Sequence, residues 1–447
     1  MAEPSVLVVG GGTFGTSTAY HLSRTYQDAS RVTVVDRGTP SGPGANKAAA
    51  IDVNRIIQTN YVRPLYCNLA NEAIHPWFWD LNLGHFFRKT GCVTIDEEDN
   101  QFTDAVRRTL QQRGSDYTKD FNVQEARKRW KPFEGMETNG LGTAFFNPEA
   151  GWCDAALATP NLMAAAERNG VKRVTGEVDE LSFDLSRKRL VGVRMKDGRR
   201  LTADQIVLSA GAWTSHLLAP IETLLHIAAR DRIERQITAV GRISAYYELS
   251  PKETEDLCEA GMPIVIYKSS GIVTPPSREN RTLKINDLQT EFVNGVTVSA
   301  GTTVSVPSER AQDDVPQKLK DESQKLLNIM MPEFAQRKSP TRWRICWDAK
   351  IPTEDWLLCR HPHPQLENLF LAVGGNFDTY KFLPIAGKYL SNVLQGKSNG
   401  PEKDAAWAWK SEATLMNADR RELGPKSRIS SLPEFRSFED SSRPSKL

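Results

Sequence analysis

The feature that most restricts this chain is Gly10-Gly-Gly12-Thr-Phe-Gly15, set between two apolar, β-branched runs. Ser5 to Val9 reads as a buried parallel strand, and Phe14 to Arg24 as a helix with Ala19 and Leu22 among its inward positions. Val32 to Val35 reads as a second strand, closed by Asp36. Each part has a task in dinucleotide binding. Gly10 makes the tight turn, Gly12 leaves room for a pyrophosphate against the backbone, and Gly15 lets helix and strand pack closely. Asp36 can accept hydrogen bonds from ribose hydroxyls. A bare glycine pattern says little, but one between a strand and a helix, with an acid ending the next strand, predicts an α/β unit that binds FAD or NAD.

At 447 residues the chain is too long for a single core, and two domains are expected. Its 57 basic and 55 acidic residues, net +2, give no electrostatic footprint for nucleic acid. No apolar run approaches membrane-spanning length, and the N-terminus enters the first strand directly, so neither a membrane segment nor a signal peptide is expected. The cysteines at 67, 92, 153, 258, 346 and 359 lack C-x-x-C spacing, which argues against a zinc site or a disulfide framework. No metal is expected. Ser445-Lys446-Leu447 forms a peroxisomal address at the C-terminus, after a Ser-, Pro- and charge-rich stretch that an import receptor could read.

Along the chain, Ile51 to Tyr61 puts Asp52, Arg55 and Gln58 at the spacing of one helical face, and a helix follows through Trp79. Thr90 to Ile95 reads as a strand, Asp104 to Arg113 and Val123 to Arg129 as surface helices, and Thr159 to Asn169 as a helix capped by Gly170. Val171 to Leu181 is a strand; Leu190 to Met195 and Leu201 to Leu208 form a hairpin about Asp197-Gly198. Its second strand runs into Ser209-Ala210-Gly211-Ala212-Trp213, small residues suited to backbone lying against a cofactor. From about 221 to 339 short alternating runs predict a separate, largely antiparallel sheet, with Val315 to Met330 a helix returning to the first domain. Arg342 to Asp348 and Leu369 to Val373 read as strands, and Phe382 to Leu394 as a helix. The expected division is a discontinuous nucleotide-binding domain (1–60, 145–220, 340–400), a substrate domain (61–144, 221–339) and a tail from 400 to 447.

Six ordered blocks, VVGGGTFGTSTAYHL, IDVNRII, EAGWCDA, VLSAGAW, RICWDA and GGNFDTYKFLPIAGKYL, make the chain similar to FAD-dependent amine oxidases of the sarcosine oxidase family. Within that family it most resembles the fungal branch of fructosyl amino acid oxidases (amadoriases) and saccharopine or pipecolate oxidases. The resemblance runs to about Gly396 and implies a glutathione-reductase-like FAD-binding domain of Rossmann type, with a second α+β substrate domain. It implies a thioether from Cys346 to the 8α-methyl of the flavin, for which a thiolate is the fitting nucleophile. Read without the resemblance, Cys346 is one more cysteine in an apolar strand. The implied cofactor contacts are Gly10, Gly12, Thr13, Phe14, Gly15, Asp36, Arg37, Asn54, Val178, Ala210, Gly211, Trp213, Cys346, Asn376, Phe377 and Lys381.

The resemblance also assigns catalytic roles. Lys381 corresponds to a lysine that binds the substrate carboxylate, as charge-assisted bonds would allow. Arg55 corresponds to a basic residue facing the flavin, and Lys284 to a strand lysine linked to the flavin ring where oxygen is reduced. Three departures bear on the substrate. Gln58 stands where sarcosine oxidases carry a second arginine, and Ser269 where amadoriases carry a glutamate. Asn376-Phe377-Asp378-Thr379 replaces a segment that usually contains histidine; Asp378 could meet a substrate ammonium or phenol, or cap a helix.

The implied reaction is oxidation of the C–N bond of a secondary or N-alkylated amino acid, with hydride passing to flavin N5 and dioxygen reduced to hydrogen peroxide. Saccharopine-like, pipecolate-like and N-methyl amino acids are the expected substrates, with fructosyl amino acids next and an imine that cyclises as a further option. An NAD-linked dehydrogenase, a flavin monooxygenase and a flavoprotein without turnover are the rival classes. A monomer is the family expectation.

Overall fold

The first sheet grows outward from the glycine motif. A computed structural model describes residues 3–38, 48–98, 101–267, 271–298, 302–419 and 427–428. Strand Val6–Val9 lies between Val32–Asp36 and Gln205–Leu208, all parallel, with Lys172–Thr175 and Leu369–Val373 extending the sheet and antiparallel Leu357–Arg360 at one edge. Alternate residues of the central strand go to opposite cores. Val6 and Val8 pack beneath helix Thr13–Thr25, while Leu7 and Val9 face a core shared with Leu181, Val193 and Met195. Both faces are thus covered, which is why the strand is apolar throughout rather than alternating.

A second, larger sheet is centred on Thr238–Glu248. Antiparallel Thr282–Asp287 flanks it on one side and Arg342–Lys350 on the other; Gly271–Thr274, Ile264–Tyr267, Cys92–Glu97 and Leu141–Asn147 continue the sheet. Helix Gln317–Met330 packs Leu327 and Met330 into the core beneath this sheet, with Tyr247, Val265 and Ile285. Leu319, near its start, shares a further core with Val315, Ala212 and Ile345, so the helix lies beneath the second sheet and at that end joins a core that includes the first domain. Strand Arg342–Lys350, grouped by sequence order with the nucleotide-binding segments, pairs along its whole length with Thr238–Glu248. A small sheet of Arg55–Ile57, Gly151–Cys153 and Phe87–Arg88 completes the region.

Several local expectations are corrected. Residues 55–57 form a strand instead of a helical turn, so the spacing of Asp52, Arg55 and Gln58 does not mark a helix face. The Val171–Leu181 run breaks at Gly176, whose φ of +155° ends Lys172–Thr175 before Val178–Asp184 begins in a separate three-stranded sheet. The second hairpin strand also divides: Arg200–Thr202 stays in the hairpin, and Gln205–Leu208 crosses into the parallel sheet. Asp204 marks that break, its carboxylate accepting from the backbone N–H and hydroxyl of Ser5. Past residue 400 the chain is not simply a tail, because Pro401–Trp407 and Glu412–Asp419 are helical and Trp407 is buried against Trp356. Ser269 and the C-terminal tripeptide lie outside the described residues. All six cysteines are unpaired; among the described residues no cluster suits a metal, and no helix is long and apolar enough to cross a membrane.

Candidate active site

Where the strands of the parallel sheet end, a cleft of about 1740 Å³, counting its open mouth, runs toward the second sheet. At one end its wall is backbone. Gly10 turns with φ +103°, and a Cβ there would press on the Ser209 carbonyl at 2.5 Å. A Cβ at Gly15 would overlap the Gly10 carbonyl oxygen, so helix and strand touch there as the motif requires. At Gly12, by contrast, a Cβ would meet only Ala50 at 3.9 Å, so this position looks onto open space. The same end is lined by Thr13, Phe14, Asp36, Arg37, Val178, Ala210, Gly211 and Trp213. Asp36 accepts from the N–H of Gly11 at 2.7 Å and of Gly38 at 2.9 Å, one bond to each oxygen, which leaves lone pairs for a further donor. The Arg37 guanidinium lies 4.1 Å over the Trp213 ring, joining two candidates from distant segments into one wall.

The other end is made of side chains. In the second sheet Tyr246 pairs directly with Lys284, Ser244 with Arg344, and Arg242 with Cys346. Opposed residues in an antiparallel pair share a face, as do residues two apart on one strand, so Lys284, Tyr246, Arg344 and Cys346 all point the same way. Onto that face comes the segment carrying Asp52 and Arg55. Asp52 is fully buried and holds three cations: Lys284 Nζ at 2.7 Å, Arg55 Nη1 at 3.3 Å and Arg344 Nη1 at 3.4 Å. Its other oxygen accepts from the Tyr246 hydroxyl at 2.8 Å. Arg344 also donates to the carbonyls of Ile51 and Ala48 and to Gln312 Oε1. Arg55 reaches on to Cys346, its Nη2 lying 3.2 Å from Sγ, and both residues line the cleft.

Three cations against one carboxylate leave this buried cluster net positive. Burial alone would raise the Asp52 pKa, but Lys284, Arg55 and Arg344 outweigh it and hold the carboxyl well below the usual range. Lys284 is pushed down to about 8, chiefly by desolvation, with Asp52 pulling the other way and Arg55 adding to the fall. Asn54 is buried here as well. Its carbonyl takes a long 3.4 Å contact from Lys284, and its side-chain nitrogen has no partner among the described residues. A surplus of buried positive charge beside a thiol, an unsatisfied amide donor and a glycine cradle open at Gly12 together suit an anionic, polar, planar cofactor lying along the cleft.

Lys381, Lys284, Asp378, Asn54, Gly15 and Asn376 do not line that cleft; they lie behind or beside it. The Lys381 ammonium is buried and donates to the Tyr61 hydroxyl at 2.8 Å, to the Asp378 carbonyl at 2.7 Å and to the Asp378 carboxylate. Desolvation lowers the Lys381 pKa, and the Asp378 charge opposes the fall. Asn376 and Phe377 are consecutive non-glycine residues with φ +47° and +58°. The Asn376 side chain ties the turn together, accepting from the Ile351 N–H and donating to the Asp355 and Gly374 carbonyls. The Phe377 N–H donates to Asp348 at 2.9 Å, and the Phe377 ring lies 4.2 Å beneath the Arg242 guanidinium. Gln58 accepts from the Asn60 N–H and serves the local turn.

Reasoning from the sequence missed Tyr246, Arg344, Asp348 and Tyr61. Arg344 had a signal, since it stands two residues from Cys346 and must share its face. Asp348 had the same one, two residues on the other side of Cys346, and in the fold its carboxylate occupies the space that a Cβ at Gly375 would need. Tyr61 and Tyr246 carried none.

Along 91% of its length the chain is 25% identical to L-saccharopine oxidase of Schizosaccharomyces pombe, covering 93% of that protein. It is likewise 25% identical to the amino acid oxidase imqH of Aspergillus flavus, over 89% of this chain and 94% of the relative. The fructosamine oxidase amadoriase II of Aspergillus fumigatus superposes with a TM-score of 0.80 at 25% identity, covering 96% of each chain. Residues 5–393 match the DAO family, described as FAD dependent oxidoreductase, and the chain belongs to that family.

Proposed function

We propose that this FAD-dependent oxidoreductase oxidises the C–N bond of a secondary or N-alkylated amino acid to an imine and reduces dioxygen to hydrogen peroxide. One observation carries the reading: Cys346 Sγ sits in the cofactor cleft, 3.2 Å from Arg55, at the edge of the buried cluster formed by Asp52, Lys284 and Arg344. FAD, when bound, accepts hydride from the carbon beside nitrogen and returns electrons to oxygen. The chain's own residues do the rest. Gly10, Gly12 and the start of helix Thr13–Thr25 would receive the pyrophosphate and Asp36 the ribose, and Cys346 would hold the cofactor on the polypeptide through a thioether. Arg55, Lys284 and Arg344 hold positive charge where negative charge develops during electron transfer. Lys381 receives the substrate carboxylate, and Tyr61 and Trp77 fix it in position, Trp77 by donating to the Lys381 carbonyl at 2.7 Å.

Relatives named for saccharopine and amino acid oxidation favour an amino acid substrate, and the likeness to amadoriase II makes a fructosyl amino acid the second reading. Peroxide as product fits the peroxisomal address at Ser445-Lys446-Leu447, which an import receptor would read. The test is peroxide release from saccharopine, pipecolate, N-methyl amino acids and a fructosyl amino acid. Activity on one of the first three is expected, and inactivity on all of them defeats the reading. Acid precipitation of the wild type should bring down yellow protein, whereas Cys346→Ala should leave its flavin in the supernatant. Yellow precipitate from the variant would move the linkage elsewhere.

A further inference from the structure

An ammonium has three N–H donors. All three on Lys381 are committed locally: one to Tyr61 Oη at 2.8 Å, one to the Asp378 carbonyl at 2.7 Å, and one to the Asp378 carboxylate. Lys381 is 3% exposed, yet its partner carboxylate is 49% exposed and stands between Phe377 and Thr379, which line the cleft. The anion receptor thus comes with an anion of its own, and what it shows outward is a carboxylate.

An incoming carboxylate must take the place of Asp378 on Lys381. A simple carboxylate would leave two negative groups side by side over one cation, which disfavours the exchange. An amino acid brings an N–H donor next to its carboxylate, and that donor can satisfy the displaced Asp378. We propose that the Asp378–Lys381 pair selects for an amine beside a carboxylate: the substrate carboxylate takes Lys381 while the released Asp378 takes the substrate nitrogen, and carboxylates without that amine are rejected. The inference rests on the amino acid reading above and makes Asp378 the specificity-determining residue of that site.

Calorimetric titration of the holoenzyme tests it with two probes that differ only in the amine. α-Aminoisobutyrate has no α-hydrogen to lose and so binds without turnover; isobutyrate is its carboxylate alone. The wild type should bind α-aminoisobutyrate at least about tenfold tighter, the size of one charge-assisted hydrogen bond. In Asp378→Asn the gap should close to about twofold, with isobutyrate tightening as Lys381 is freed. Asp378→Ala, at a half-exposed position, reads the same gap should the first variant fail to fold. An unchanged gap, equal shifts of both probes, or no α-aminoisobutyrate binding to the wild type overturns the proposal. A merely structural role would weaken both probes together. Should no amine release peroxide, the oxidase reading fails while the calorimetric gap still judges Asp378; peroxide with a persistent gap sinks only the selector.

Discussion

At its nucleotide end the cofactor cleft is built from backbone, and at its Cys346 end from side chains brought together out of four separated segments. The first is a local object. Gly10, Gly12, Gly15 and Asp36 lie within one strand–helix–strand unit, and the work of the three glycines is to keep atoms out of the way. The second exists only after the second sheet and the 48–57 segment have come together, and its work is electrostatic: one buried carboxylate organises Lys284, Arg55 and Arg344. A site made of omitted side chains tolerates isolation but no added bulk. A site made of buried charges tolerates neither the loss of a partner nor a change of protonation.

The sharpest way to break the comparison is Asp52→Ala. Removing the anion leaves three buried cations facing one another, and stability should fall by about 3–5 kcal/mol, read as a lowered urea midpoint with an unchanged slope. A loss below about 1 kcal/mol, the scale of exposed ion pairs, would mean the cluster is not the organising element described. At the backbone end two alanines separate packing from binding. Gly15→Ala forces a Cβ onto the Gly10 carbonyl and should cost about 1–3 kcal/mol of stability together with flavin. Gly12→Ala meets only Ala50, so its stability without flavin should stay within about 0.5 kcal/mol while flavin content drops. Equal destabilisation by both variants would remove the distinction between a packing glycine and a clearance glycine.

The same contrast explains what was legible in the sequence. The opening unit was, because strand, turn and helix signals coincide within a few residues and each depends on local sterics. The breaks at Gly176 and Asp204 were not, because a strand that changes sheets keeps its apolar alternation while its hydrogen-bond partners change. The placement of Arg342–Lys350 failed for a related reason: chain order carries no information about which sheet accepts a strand. Cys346, Lys284 and Arg55 stood out through family resemblance, since nothing in their own neighbourhoods announces a shared site. Asp52 was singled out with the correct partner, Arg55, but on a helical spacing that the strand at 55–57 does not have.

The smallest effect, and the one that tests the electrostatic end by itself, comes from titrating Lys284. Its folded pKa of about 8 lies below the ordinary 10.5, because burial disfavours the ammonium more than Asp52 restores it. Below about pH 8 the cluster keeps its full charge, and above it one cation is lost. If that cation assists electron transfer to oxygen, reoxidation of the reduced enzyme should slow as pH rises through this value, by no more than about tenfold per pH unit, the limit for one proton. Stability should move the opposite way. Between about 8 and 10.5 the unfolded chain binds the proton that the folded chain has released, so unfolding free energy from this group rises with pH across that window. Lys284→Met should abolish both slopes, leaving reoxidation slow and flat and stability without its alkaline rise. A flat profile in the wild type would assign the oxygen-facing charge to Arg55 and Arg344, whose guanidinium groups do not titrate in this range. Opposed slopes that vanish together in the variant would show one buried proton governing both, as a cluster of side chains permits and a wall of backbone does not.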